Sequence, residues 1–473
     1  MAEDDIKKTY FDHSSAPRVD TTGIIAASLK RQYPNLECTI VHPHYPVDLL
    51  GFAYSGHGSI SPISQEPPKQ HTHAGTSSTS PPGPLPSSLA LTGYAPPARG
   101  TGRGVIIHDI LFDRFLYKWH GYDFIVYIVN AREGLMGSYP QGKMTFILSV
   151  SLDVTNSLVL AAGKWSNDLH DEIWVFDQGA WQKSRELFES IRNAEWDNVI
   201  MDSERKKAII DDHMSFYDGR ESYKKLGVPW KRGIIYYGPP GNGKTISIKA
   251  MMHQLYSLRD PVPTLYIRSL VSYYGPEKSV GMIFEKARAM APCYLIMEDL
   301  DTIVTDAVKS YFFNEVDGLK SNDGIFMVGS TNHLDRLDPG ISQRPSRFDR
   351  KYLFDNPNVE ERTMYCQFWQ NKLKDNKDVA FPDKLCNAIA SITYDFSFAY
   401  MQEAFVATLL AIARMADTFQ SVDDIGDGWV SVLDCGSGDG NHDLDQYVLW
   451  TEIKKQVGIL RDGMTRRRNE ERK

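Results

Sequence analysis

The chain has 473 residues, a formal net charge of −8, 42% hydrophobic and 24% charged residues. That length leaves room for two or three domains with separate cores, and the composition is ordinary for a soluble globular protein. The acidic balance argues against nucleic acid as the main partner, because nucleic-acid binders carry a basic field.

The first residues, Met1-Ala2-Glu3-Asp4-Asp5, have neither the basic-then-apolar pattern of a secretory signal nor the acid-free pattern of a transit peptide. The cysteines Cys38, Cys293, Cys366, Cys386 and Cys435 are scattered, with no C-x-x-C pair. That suits a reducing compartment and no disulfide framework. The segments Ile24–Gly51 and Val105–Arg192 are rich in β-formers, with Phe124–Val129 and Ile173–Phe176 as the best strands. Between them, 54–103 is dominated by Pro, Ser, Gly and Thr and reads as a disordered insertion, because it cannot bury enough apolar surface to offset its ordering entropy. Residues 1–53 and 104–192 are therefore expected to form one α+β domain around that insertion. The most apolar window, Phe146–Ala162, is broken by Asp153, Asn156 and serines, and is read as strands rather than a membrane span. His42, His44, His71 and His73 have no Cys or carboxylate pattern beside them, so solvated loops are a better reading than a metal site.

From Trp196 the pattern changes. Apolar strand-like runs recur at 233–237, 264–268, 293–297, 325–330 and 351–354, with helical segments between them. That alternation predicts an α/β fold with a parallel, doubly wound sheet over 193–356. Beyond Pro357 the segments Val359–Lys374, Asp383–Ser391, Phe396–Ala416 and Asp445–Arg461 read as helices, giving a small helical lid over 357–473. An acidic, glycine-rich insertion, 417–445, interrupts the lid, and the basic run Thr465–Arg468 reads as a solvated helix end.

The chemistry is concentrated in this second half. Gly238-Pro239-Pro240-Gly241-Asn242-Gly243-Lys244-Thr245 fits G-x-x-x-x-G-K-[ST], between an apolar strand and a helix. Such a turn aims backbone N–H groups and the positive end of a helix dipole at a phosphate chain. Lys244 then reaches the terminal phosphates and the Thr245 hydroxyl holds Mg²⁺, which implies a nucleoside triphosphate ligand. About 55 residues on, the strand Cys293–Met297 ends in Glu298-Asp299. Phosphoryl transfer to water needs one acid on the metal shell and another to orient the water. The next strand ends in Gly329-Ser330-Thr331-Asn332, where Asn332 can sense the γ-phosphate or cap a helix.

Then comes Leu337-Asp338-Pro339-Gly340-Ile341-Ser342-Gln343-Arg344-Pro345-Ser346-Arg347-Phe348-Asp349-Arg350. With the phosphate loop, the acidic strand and the sensor Asn, this resembles an AAA ATPase of the AAA+ superfamily, over about Trp196–Ala416. The resemblance implies that Arg344 and Arg347 project into a neighbouring subunit's ATP site as fingers. Ser346 stands where the family usually has Gly. Within the family, Met201–Asp212, Trp230–Gly233 and the order Glu298-Asp299 resemble the Bcs-type AAA chaperones, although their N-terminal membrane segment is not found here. By that resemblance Glu298 binds Mg²⁺ through water and Asp299 polarises the attacking water. In peptide-threading relatives an aromatic loop follows the second strand. Here Ser272-Tyr273-Tyr274-Gly275-Pro276 sits at that place, either a pore loop gripping substrate through Tyr273 and Tyr274 or a tight turn.

The expectation is an ATP- and Mg²⁺-dependent, chaperone-like machine that remodels a protein substrate as a homo-oligomeric ring, a hexamer or heptamer. Its expected place is intracellular, cytoplasmic first, with mitochondrial and nuclear compartments left open. Two rivals are a nucleotide-dependent scaffold with slow hydrolysis, favoured by Asp299 being one methylene shorter than Glu, and a nucleic-acid motor or loader.

Overall fold

Four consecutive buried apolar residues, Ile173–Phe176, set one of the main boundaries in the chain. A run without polar alternation suits a strand covered on both faces, as in a parallel sheet. In the computed structural model, which describes residues 21–41, 47–63, 89–97, 104–130, 143–318, 320–376, 379–420 and 444–470, this strand pairs in parallel with Thr264–Ile267. The chain divides into two units, 1–170 and 171–473. The boundary expected at 192 is therefore corrected: 173–192 belongs to the second unit.

The first unit is an antiparallel sheet built from β1 (Glu37–Val41), β2 (Ser59–Pro62), β3 (Leu89–Ala95), β4 (Val105–Trp119), β5 (Tyr122–Asn130) and β6 (Lys143–Ser149). The order is β1-β6-β5-β4-β2, with β3 also on β4. Its two longer helices among the described residues are α1 (Thr21–Gln32) and α2 (Leu152–Asn167). Strand side chains alternate between faces. Phe124, Val126 and Ile147 pack with Leu158 and Ala162 of α2, while Tyr127, Val129, Phe146 and Leu148 pack with Leu29 of α1.

Three expectations change here. Ser59–Pro62 and Leu89–Ala95 lie within the stretch expected to be disordered, yet both pair with β4. Residues 64–88, with His71 and His73, lie outside the described residues, as do His42 and His44. Thr21–Gln32 is a helix rather than part of a β-rich segment. Only the first part of Phe146–Ala162 is strand: Ser151 accepts a bond from the Asp153 N–H at 3.3 Å and caps α2, whose buried Thr155, Leu158 and Ala162 follow helical spacing.

The second unit begins with the hairpin β7 (Ile173–Asp177) and β8 (Ala180–Ser184), then α3 (Arg185–Arg192) and α4 (Ser203–Asp218). Next come β9 (Arg232–Tyr237), α5 (Lys244–Tyr256), β10 (Thr264–Ile267), α6 (Pro276–Ala289), β11 (Cys293–Met297), α7 (Lys309–Asp317), β12 (Ile325–Thr331) and β13 (Arg350–Leu353). The sheet order is β13-β9-β12-β11-β10-β7-β8, parallel throughout except for the β7–β8 hairpin. Strands 9 to 13 lie within a few residues of the expected runs. The order reverses beside β9, so the carboxyl ends of β9, β11 and β12 open on a switch-point crevice.

Helices α8 (Val359–Lys372), α9 (Asp383–Ile392), α10 (Phe398–Gln420) and α11 (Val448–Glu470) form the lid. Asn358 opens α8 with a reciprocal cap: it accepts from the Glu361 N–H at 2.8 Å, and Glu361 accepts from the Asn358 N–H at 3.0 Å. Trp369, Leu385, Ile389, Phe405, Leu449 and Ile453 bury the facing sides of these helices in a core of their own. Most of the acidic insertion, 421–443, lies outside the described residues. Among the described residues, no helix is long and apolar enough to cross a membrane.

Candidate nucleotide site

The phosphate loop leaves β9 through backbone that only glycine tolerates. Gly238 has φ 139°, and a Cβ there would lie 2.3 Å from the Phe354 carbonyl oxygen. Gly241 and Gly243 also take positive φ, 81° and 89°. At Gly241 a Cβ would fall 2.6 Å from the Ala399 methyl, so loop and lid meet backbone to backbone. The Ala399 N–H donates to the Gly241 carbonyl at 3.0 Å. Asn242 bridges the same join, donating to Asn356 Oδ1 at 2.9 Å and accepting from the Phe398 N–H at 3.3 Å. Part of the lid is thereby bonded directly to the loop.

Lys244 turns back over this loop, donating to the carbonyls of Gly238 at 2.7 Å and Pro239 at 2.9 Å. Burial lowers its ammonium from the ordinary lysine range, against the pull of the Asp299 and Glu298 carboxylates. The Thr245 hydroxyl donates to Glu298 Oε1 at 2.5 Å. Asp299 begins the turn after β11 in left-handed backbone, φ 50° and ψ 52°. Asp is among the few side chains that adopt this conformation readily, and strained backbone gathers at working sites.

These groups line a cavity of about 690 Å³ that includes Pro240, Gly241, Gly243, Lys244, Thr245, Glu298, Asp299 and Asn332. The donor set suits Mg²⁺: a hydroxyl and a carboxylate are hard oxygen ligands, already within hydrogen-bond distance of each other. The same cavity is also lined by Asn198, Val199 and Ile200, and by Tyr365, Phe368 and Phe398 from the lid. The Tyr365 ring centroid is 5.3 Å from Phe398 and 6.0 Å from Phe368. These rings give the cavity an apolar, aromatic slot. Sequence reading missed it, although Tyr365 and Phe368 are spaced i, i+3 and so share a face of α8.

Tyr266 was also missed. Its hydroxyl, at the end of β10, donates to Glu298 Oε2 at 2.9 Å. Burial first, and then the Glu298 charge, push that hydroxyl well above the usual tyrosine range, so it stays a donor. The only sequence sign of it is a phenol hydroxyl within the short strand Thr264–Ile267.

The arginines do not line the cavity. Arg344 is largely exposed and lies 3.7 Å from Asp317 Oδ2. Arg347 departs from the expectation of a projecting finger. It is only 6% exposed, donates to Asp317 Oδ2 at 2.8 Å and to the Gly340 carbonyl at 2.7 Å, and stacks 3.7 Å over Phe313. Tyr273 and Tyr274 stand apart from the site, 97% and 75% exposed, in the loop before α6. Among the described residues, no cluster of three or more His, Cys, Asp or Glu is placed to hold a metal.

Residues 234–356 match the family described as ATPase family associated with various cellular activities (AAA). The second unit carries an AAA ATPase domain. The match runs from β9 through the acidic strand to the residues after β13, so it takes in the loop, Glu298, Asp299, Asn332 and both arginines. The chain is also 30% identical, over 196 residues, to the protein named Ribosome biogenesis ATPase RIX7 of Saccharomyces cerevisiae. That alignment covers 38% of this chain and only 22% of the relative.

Proposed function

We propose that this chain hydrolyses ATP at the AAA site and, as a ring of identical subunits, uses the cycle to remodel a protein substrate. The observation that carries the reading is the meeting of Lys244, Thr245, Glu298, Asp299 and Asn332 at one cavity, from the ends of neighbouring strands. Lys244 and the loop N–H groups hold the phosphates, and the aromatic slot holds the base. Thr245 and Glu298 are the residues that would hold Mg²⁺, which neutralises phosphate charge when bound. Asp299 accepts the proton of the attacking water, and Asn332 orients the γ-phosphate.

Arg344, exposed and loosely tethered, takes the finger role toward a neighbour. Arg347 holds the loop that carries it. The exposed Tyr273 and Tyr274 grip polypeptide at the pore, and the bonds from Asn242 and Gly241 to Phe398 and Ala399 pass the state of the phosphates to the lid.

The test is steady-state phosphate release combined with light scattering in ATP, across a dilution series. The proposal expects turnover to rise as rings assemble. A monomer that hydrolyses ATP at the full rate removes the ring, and a protein that binds ATP without turnover leaves a scaffold.

A further inference from the structure

Glu298 is held from two sides. Thr245 donates to one carboxylate oxygen at 2.5 Å, and Tyr266 donates to the other at 2.9 Å. β10 and β11 run in parallel with Tyr266 opposite Ile296, so Glu298 lies two residues further along the neighbouring strand. Two residues of strand are about 6.6 Å. A serine or threonine hydroxyl at 266 is too short for that span, and a phenol is long enough. The order Glu298-Asp299 puts the longer, more flexible carboxylate on the side of Thr245, with one more torsion to fix than an aspartate has.

We propose that Tyr266 is the positioning residue for Glu298: its hydroxyl fixes the rotamer that presents the carboxylate to Thr245, and so prepares the metal side of the site. This rests on the proposed ATP- and Mg²⁺-dependent reading. Tyr266 lines the same cavity, and its hydroxyl acts through Glu298. A tyrosine here is the companion of a glutamate at 298, and a shorter carboxylate has no use for it.

The test is equilibrium binding of a fluorescent ATP analogue to the full chain as Mg²⁺ is titrated. Tyr266→Phe keeps the ring and its packing and removes only the donor. A hydrogen bond to a charged acceptor corresponds to a factor of about ten or more. The Mg²⁺ concentration for half-maximal binding should therefore rise about tenfold in Tyr266→Phe, while affinity in EDTA shifts less than twofold. In a background carrying Glu298→Asp and Asp299→Glu, the effect of Tyr266→Phe should shrink below about twofold.

An unmoved Mg²⁺ midpoint in Tyr266→Phe, or an equal shift in both backgrounds, overturns the inference while leaving the ATP reading intact. If the unmutated chain binds no nucleotide with or without Mg²⁺, the ATP reading falls and the inference falls with it.

Discussion

Arg347 and Asp317 form the tightest ion pair in the arginine loop, Nε to Oδ2 at 2.8 Å, in a nearly sealed site. The same carboxylate meets Lys231 at 3.4 Å and Arg344 at 3.7 Å, so the end of α7 gathers three cations. Only Arg344 among them has a side chain open enough to leave without unfolding anything.

That contrast separates two variants. Arg347→Ala leaves a half-buried Asp317 with its closest partner gone and empties the space over Phe313, so it should cost about 2–4 kcal/mol of stability and lower turnover with it. Arg344→Ala should leave the melting temperature within about 2 °C, since exposed pairs contribute little, and reduce phosphate release about a hundredfold or more. Thermal melting and turnover on the same preparations check both. Equal melting losses would mean that both arginines are structural.

The phosphate loop, the acidic strand end and strands 9 to 13 were legible because each depends on local chemistry. Gly238 is needed where no Cβ fits, and Cys293–Met297 is apolar because both faces of its strand are covered. What was not legible depends on pairing at a distance. Ile173–Phe176 reads as a strand, but nothing in those residues says that its partner is β10 rather than a strand of the first unit. Leu89–Ala95 has turn-like neighbours and is a strand because β4 is long enough to receive it. Tyr266 and the slot formed by Tyr365, Phe368 and Phe398 join positions far apart in the chain, which no local motif records.

Tyr273 is the side chain whose role is most cleanly separable. It is 97% exposed, and its nearest described ring contact is its neighbour Tyr274, 5.5 Å away. Tyr273→Ala should therefore change stability by less than about 0.5 kcal/mol. If the loop grips polypeptide, basal hydrolysis and ring assembly persist while substrate remodelling is lost, because the aromatic surface is the grip. Remodelling at the full rate would leave the loop as a turn.

His213 gives the second unit an acid-sensitive core. Its Nδ1 donates to the Ile209 carbonyl at 2.7 Å, leaving Nε2 to accept from the Tyr294 hydroxyl at 3.2 Å. Both bonds suit the neutral ring, which also stacks 4.3 Å from Phe326. Burial pushes its pKa down to about 4 from an ordinary 6.5. Between those values the unfolded chain binds the extra proton, so this stability is fully present above about pH 6.5 and is lost as pH falls toward 4. The loss approaches about 3 kcal/mol. His213→Gln keeps a donor and an acceptor without titrating there, and its melting temperature should fall less between pH 7 and pH 4.5. Identical slopes in the two proteins would rule out this histidine as the source.

The central claim is that Lys244 and Asp299 serve one hydrolytic site in different ways. It is tested most directly by measuring ATP affinity and phosphate release together on Lys244→Ala and Asp299→Asn. Lys244→Ala removes the cation that reaches the phosphates, so affinity should drop at least about tenfold and release should vanish. Asp299→Asn removes only the proton acceptor, so affinity should stay within about threefold while release falls about 10²- to 10⁴-fold. Unchanged affinity in Lys244→Ala, or full-rate hydrolysis in Asp299→Asn, would contradict the account.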